Sequence, residues 1–218
     1  MKFLIFITML YISLNTCAQE TRPTDDEGSG FNRGNGGNVI VCDNNGEMTY
    51  EVLDLFEGRN VWYFRLDPDL TNKSLNYKQI INLTINKVMM IGMRDGLRLK
   101  SYYERMRRNS ELLPNHVFIK THDQGNVFIP SHCELEQGAI QWVTPPIGMK
   151  EFIFNKRYWE KLSELHKAAL VMHEVIYKTF ITESIIINRP AKKITSYDIR
   201  FYVAYLFSDQ FGQFGGVN

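Results

Sequence analysis

The chain has 218 residues, 44% of them hydrophobic and 22% charged, with 25 Lys and Arg against 24 Asp and Glu. That composition excludes a disordered or fibrous protein and suits one globular domain, two at most. The charge balance gives no global field to attract nucleic acid or an anionic surface, so no nucleic-acid partner is expected.

The first stretch, "MKFLIFITMLYISLNTCAQE", reads as a secretory signal peptide over residues 1–18. Lys2 is the positive head, Phe3 to Leu14 the apolar core, and Thr16-Cys17-Ala18 ends in small residues; the stretch is too short and wrongly flanked for a transmembrane helix. The expected location is therefore secreted or periplasmic. A variant reading keeps Leu14-Asn15-Thr16-Cys17 as a degenerate lipoprotein box with Cys17 acylated, although Thr16 fits such a box poorly. No later stretch is apolar for the roughly 18 residues a membrane span needs. Cleavage after Ala18 removes Lys2 and no acid, so the mature chain has equal numbers of basic and acidic residues. It keeps Cys42 and Cys133, and in an oxidising compartment an even pair reads as one disulfide. Two buried free thiols are the alternative, and cysteines this far apart do not make a zinc knuckle.

Residues 19–37, "QETRPTDDEGSGFNRGNGG", are polar and Gly-rich and predict a flexible mature N-terminus. Their glycine run precedes a strand and opens no helix, so it lacks the setting of a phosphate loop. "NVIVC" (38–42), the turn "DNNG" and "EMTYEVL" (47–53) predict a hairpin. The apolar spacing of 74–108 predicts one long helix, breakable near Gly92 or Gly96. Its basic end (Arg94, Arg98, Lys100, Arg105, Arg107, Arg108) admits a nucleic-acid or lipid reading, but a solvated face is the expectation. Two β-rich runs around "THDQGN" predict a hairpin over 116–130, and "AIQWV" (139–143) and "EFIF" (151–154) predict strands. A helix over 155–180 capped by Asn155, a loop over 182–194, and a final helix over 195–207 with Thr195 and Asp198 as a capping box complete the reading. Residues 209–218 are expected to be a flexible tail. Asn72-Lys73-Ser74 and Asn82-Leu83-Thr84 are formal glycosylation sequons, the second inside a predicted helix. Short antiparallel strands and hairpins mixed with two long helices and a C-terminal helix, without regular βαβ alternation, predict a single α+β domain over 38–208.

Chemistry concentrates in "KAALVMHEVIYKTF" (167–180). At about 100° per residue, His173 shares a face with Leu162, Leu165, Ala169, Ile176 and Phe180, and Glu174 sits a step aside. A metalloprotease helix needs a second His four residues on, where this chain has Tyr177; His166, seven residues away, is too distant to share an ion. Three readings remain open. His173 could be one ligand of a metal, zinc by chemistry, with His116, His122 or His132, and Glu174 the general base on a bound water. His173 and Glu174 could be a metal-free acid/base pair with Tyr177 as donor. Or both could be structural, bonded to backbone or to Arg200. A second polar cluster, Glu134, Glu136 and Gln137 beside Cys133, is expected to be an acidic surface turn, and Asp54 and Glu57 in "EVLDLFEGR" to be solvated acids at an element's end. No nucleophile elbow, Cys-His protease signature or Walker motif appears.

The blocks "GNGGNVIVC", "EVLDLFEGR", "CELEQGAIQ", "KAALVMHEVIYKTF" and "SYDIRFYVAYLF" together resemble a family of exported proteins from Bdellovibrio-type bacteria. The resemblance runs in separated blocks from about residue 34 to 207 and leaves 60–130 uncovered. It implies secretion and an envelope setting, marks Cys42, Cys133, Gln137, His173, Glu174 and Tyr177 as matching positions, and implies no reaction. The expectation is an exported envelope or periplasmic protein, a non-catalytic binding or structural module. The alternative is a hydrolase of envelope polymer or peptide that uses the His-Glu-x-x-Tyr helix.

Overall fold

The computed structural model describes residues 33–34, 37–114, 118, 127, 129–142, 145, 147–186 and 195–211, and of residues 33, 34 and 181–186 the backbone only. The predicted signal peptide, most of the polar lead-in and most of the predicted 116–130 hairpin lie outside them.

The described residues form an α+β fold of two small sheets around a buried helix. Strand β1 (Arg33–Gly34) is an edge of a four-stranded sheet, ordered β1-β6-β7-β4 with β4 (Ser110–Leu113), β6 (Ala139–Trp142) and β7 (Phe152–Asn155). In the three-stranded sheet, β2 (Asn38–Asn44) lies between β3 (Glu47–Val52) and β5 (Cys133–Gln137). All pairings are antiparallel except β4 with β7, which is parallel. The predicted first hairpin is present. Its two turn residues, Asn45 (φ 57°) and Gly46 (φ 92°), both take the left-handed conformation that a tight two-residue hairpin requires.

Two differences in this half have plain causes. The predicted flexible lead-in ends inside the fold: Arg33 and Gly34 pair with Trp142 and Gln141, and Gly37 is buried. "CELEQ" is a strand rather than a surface turn, because it lies beside β2 with Cys42 opposite Cys133.

Six helices complete the described fold. Helix α1 (Leu53–Asn60) follows β3 directly and was not predicted. The predicted long helix is two, α2 (Tyr77–Ile91) and α3 (Met93–Arg108), separated by Gly92 in extended backbone (φ −150°, ψ 96°). Asn76 starts α2 with a reciprocal capping box to Gln79. The two helices touch where α3 has no side chain: a Cβ on Gly96 would stand 2.7 Å from the Met89 amide nitrogen and 2.8 Å from its Cα. Any larger residue there must separate α2 from α3.

The helix predicted over 155–180 is also divided. Asn155 caps a short α4 (Lys156–Trp159) through the Arg157 amide. The chain then turns, and Ser163 restarts the helix, its Oγ accepting from the His166 amide and its carbonyl from Lys167. Helix α5 (Glu164–Ile186) runs through the first part of the predicted 182–194 loop. Helix α6 (Ser196–Leu206) has the predicted Thr195–Asp198 box.

Helix α5 is the axis of the molecule, packing against α2, α3, α6, β3 and β6. Its residues Ala168 to Ile176 are all buried, as expected of a helix enclosed on every side. A smaller core of Ile40, Leu53 and Phe56 surrounds the Cys42–Cys133 disulfide, which the structure forms. Among the described residues no helix is long and apolar enough to cross a membrane.

Candidate functional site

His173 and Glu174 occupy the most enclosed stretch of α5. Burying them requires partners, because an unpaired charge in a low-dielectric interior is costly. Helix α1 supplies the first: Asp54 Oδ1 lies 2.8 Å from His173 Nδ1. The lead-in to β2 supplies the second, where the Gly37 amide donates to Glu174 Oε1 at 2.6 Å. A side chain at Gly37 would crowd this approach, since a Cβ there would stand 2.5 Å from Leu170 Cδ1 in the core. One turn beyond Asp54, Glu57 Oε2 accepts from Arg200 Nε of α6 at 2.6 Å, and Arg200 Nη1 donates to Ser196 Oγ at 2.8 Å. The close fit of Gly58 against Ala204 brings α1 near enough to α6 for this pair.

The five charged or titratable side chains, Asp54, Glu57, His173, Glu174 and Arg200, are each 2% exposed or less. Burial alone would lower the His173 pKa, but the Asp54 and Glu174 carboxylates outweigh it and hold it above the ordinary value. Burial raises the Glu174 pKa, against the His173 charge and the Gly37 hydrogen bond. Half-buried Tyr177 has its pKa raised first by burial and then by Glu174. Three atoms of the cluster, Asp54 Oδ2, His173 Nε2 and Glu174 Oε2, have no hydrogen-bond partner among the described residues.

These shifts set a pH dependence. A group whose folded pKa lies above its unfolded value stabilises fully below the unfolded value and loses that contribution as pH rises through the folded one. For His173 the loss begins near its ordinary 6.5 and for Glu174 near 4.5, so both erode stability as pH rises. Urea unfolding midpoints are therefore expected to fall between pH 6 and pH 8.5, and His173→Gln to flatten that fall. An unchanged slope in His173→Gln would assign the dependence to other groups. His166 acts on the opposite side: it accepts from the Val52 amide, and burial lowers its pKa to about 4, so its contribution is lost as pH falls below 6.5.

The other sequence candidates are dispersed. His132 lies beside the disulfide, and Cys42, His132 and Cys133 are the one group of three potential metal ligands close together among the described residues. Both sulfurs there are in the disulfide, so no thiolate is offered. His173 belongs to no such group among the described residues, and His116 and His122 lie outside them. Glu134 is exposed on β5. Gln137 is buried at the strand's other end, its carbonyl accepting from Asn155 Nδ2, and Arg200 bonds to Glu57. Two surface depressions, of about 430 and 350 Å³, are lined by neither His173 nor Glu174.

No protein family, curated protein or solved structure matches this chain.

Sequence reasoning missed Asp54 and Glu57, which were expected to be solvated. Their carboxylates are buried because α1 is wedged between α5 and α6. The available signal was the setting of each acid: Asp54 stands between Leu53 and Leu55, and Glu57 follows Phe56. Glu151 was missed too. It is buried, with Lys178 Nζ 2.6 Å from one oxygen and Arg105 and Asn109 donating to the other.

Proposed function

We propose that this protein is an exported, disulfide-linked envelope or periplasmic protein that acts as a binding or structural module, with His173 and Glu174 as a polar latch rather than as catalysts. The observation that carries this reading is their enclosure: they are 1% and 0% exposed, and each is tied to a distant part of the chain. A reacting group must meet its substrate, and these two do not reach the surface. The disulfide, the signal-like first residues and the resemblance to exported Bdellovibrio-type proteins support an extracytoplasmic setting.

A second reading has one observation in its favour. Asp54 orients His173 through Nδ1 and leaves Nε2 unpartnered, which is how a general base is held. Under that reading the protein is a hydrolase of envelope polymer or peptide.

The purified mature chain separates the two. The latch reading expects no bound zinc, no thermal shift on adding zinc, and no hydrolysis of peptidoglycan or casein. Zinc at about one ion per chain, or turnover that disappears in a folded Glu174→Gln variant, would replace it with the hydrolase.

A further inference from the structure

The larger of the two surface depressions, about 430 Å³, lies where the helices meet β4, an edge strand of the four-stranded sheet. Its size is ordinary for a small-ligand site. Helices α2, α3 and α4 give it aromatic walls. Tyr77 and Trp159 are half-exposed there and stand edge to face, their centroids 5.3 Å apart and their planes at 85°. Both rings are held in place: Phe154 of β7 lies 5.2 Å from Trp159, and the Tyr77 amide donates to Glu164 Oε2 of α5. Tyr103 lines the same depression and is 2% exposed, yet it makes no hydrogen bond among the described residues. A buried tyrosine hydroxyl ordinarily finds a partner.

The charged groups around these rings carry both signs. Lys78 and Arg107 are the lining cations and Glu111 the lining acid. Arg107 is already paired, its Nη1 donating to both Glu104 oxygens at 3.1 Å. Lys78 and Arg107 are thus balanced by Glu104 and Glu111, and beside Trp159 Lys167 is paired with Glu164. Burial raises the pKa of Tyr77 and of Tyr103, and the Arg107 charge opposes the rise at both, so its guanidinium sits near both hydroxyls. Glu111 accepts from the Lys150 amide through Oε1, and its other oxygen makes no hydrogen bond among the described residues.

We propose that this depression binds a neutral saccharide. A sugar ring has an apolar C–H face that lies flat on an aromatic ring, and hydroxyls at its edge that both donate and accept. The lining matches each part: Tyr77 and Trp159 offer ring surface, Lys78 and Arg107 donate, Glu111 accepts, and the Tyr103 and Ser110 hydroxyls do either. An anion would meet Glu111 and find Arg107 occupied by Glu104. A wholly apolar ligand would strip water from the phenol and the carboxylate and replace it with nothing. The inference deepens the binding reading above and rests on it only for the setting: soluble saccharides test the depression whether or not the chain is exported.

The test is titration calorimetry of the mature chain with chitotriose, cellotriose, maltotriose and mannotriose, beside a blocked alanine-phenylalanine-alanine peptide. At least one trisaccharide is expected to bind with a Kd of about 1 mM or tighter, and with no more than about a twofold change between low and 1 M salt. Tyr103→Phe, which removes one oxygen and keeps the ring, is expected to weaken binding about fivefold at an unchanged thermal midpoint. Tyr77→Ala is expected to weaken it further. In the unsubstituted chain, irradiating the aromatic protons is expected to transfer magnetisation to the sugar C–H protons, a readout that needs no variant to fold. No trisaccharide binding, no such transfer, or equal affinity in both variants would overturn the proposal. So would binding lost at 1 M salt, which would assign the depression to an anion, or binding of the peptide alone, which would assign it to an extended chain.

Discussion

Replacing Cys42 and Cys133 with serine is expected to lower the stability of the fold by about 4–5 kcal/mol, the chain-entropy value for a loop of this size. The bond joins residues 91 apart in sequence, and the span between them contains α1, α2, α3 and β4. Free of the cross-link, the unfolded chain regains the conformations that closing so long a loop denies it. The native state loses an anchor as well, because the cysteines face each other in register across β2 and β5 and sit in the small core with Ile40, Leu53 and Phe56. Urea unfolding of the double serine variant, or of the wild type with and without reductant, reads the difference as a shift in midpoint. A loss under about 1 kcal/mol would mean that the hydrogen bonds of β5 to β2, and not the covalent bond, hold the three-stranded sheet together.

Arg200→Met is expected to cost about 3–5 kcal/mol, the usual consequence of removing one partner of a buried ion pair. Arg200 and Glu57 have side chains 1% and 2% exposed. Loss of the guanidinium leaves a carboxylate enclosed between α1 and α6 with its countercharge gone. The double variant Glu57→Leu, Arg200→Met removes both charges and is expected to recover much of the loss, since two apolar residues of similar volume pack without a desolvation penalty. The four urea midpoints of this cycle therefore should be strongly non-additive. Additive losses, or a single-variant cost below 1 kcal/mol, would show that water reaches the pair.

Much of the fold was legible in local signals. The Asn45-Gly46 turn demanded a hairpin, Thr195 and Asp198 marked the start of α6, and Cys42 and Cys133, the pair left after the predicted leader, implied their bond. The failures share a physical cause. Helical phase assigns one inward face to α5, and on that basis Glu174 stood at the side. The helix has no outer face between Ala168 and Ile176, so inward and sideways are equally buried. The same three-dimensional enclosure took Asp54 and Glu57 out of water. Sequence spacing reports which residues share a helix face, but not how many neighbours the helix will have. The His-Glu pair was thus found, while its partners, contributed by residues more than a hundred positions away, were not.

Those separations bear on the order in which the molecule can be assembled. A chain delivered from its N-terminus presents β2 among the earliest elements of the fold, and β2 is the middle strand of its sheet. Its hairpin with β3 can close at once. Its other edge waits for β5, and Gly37 waits for Glu174, 137 residues later. Until β5 arrives, 91 residues after Cys42, that cysteine is a lone thiol and the flank of β2 an open template for pairing with another chain. Contacts of such long range make folding slow and expose partly folded chains to aggregation. The Gly37–Glu174 bond can form only after the partner strand of β2 has been delivered, so it fixes the lead-in to β2 late.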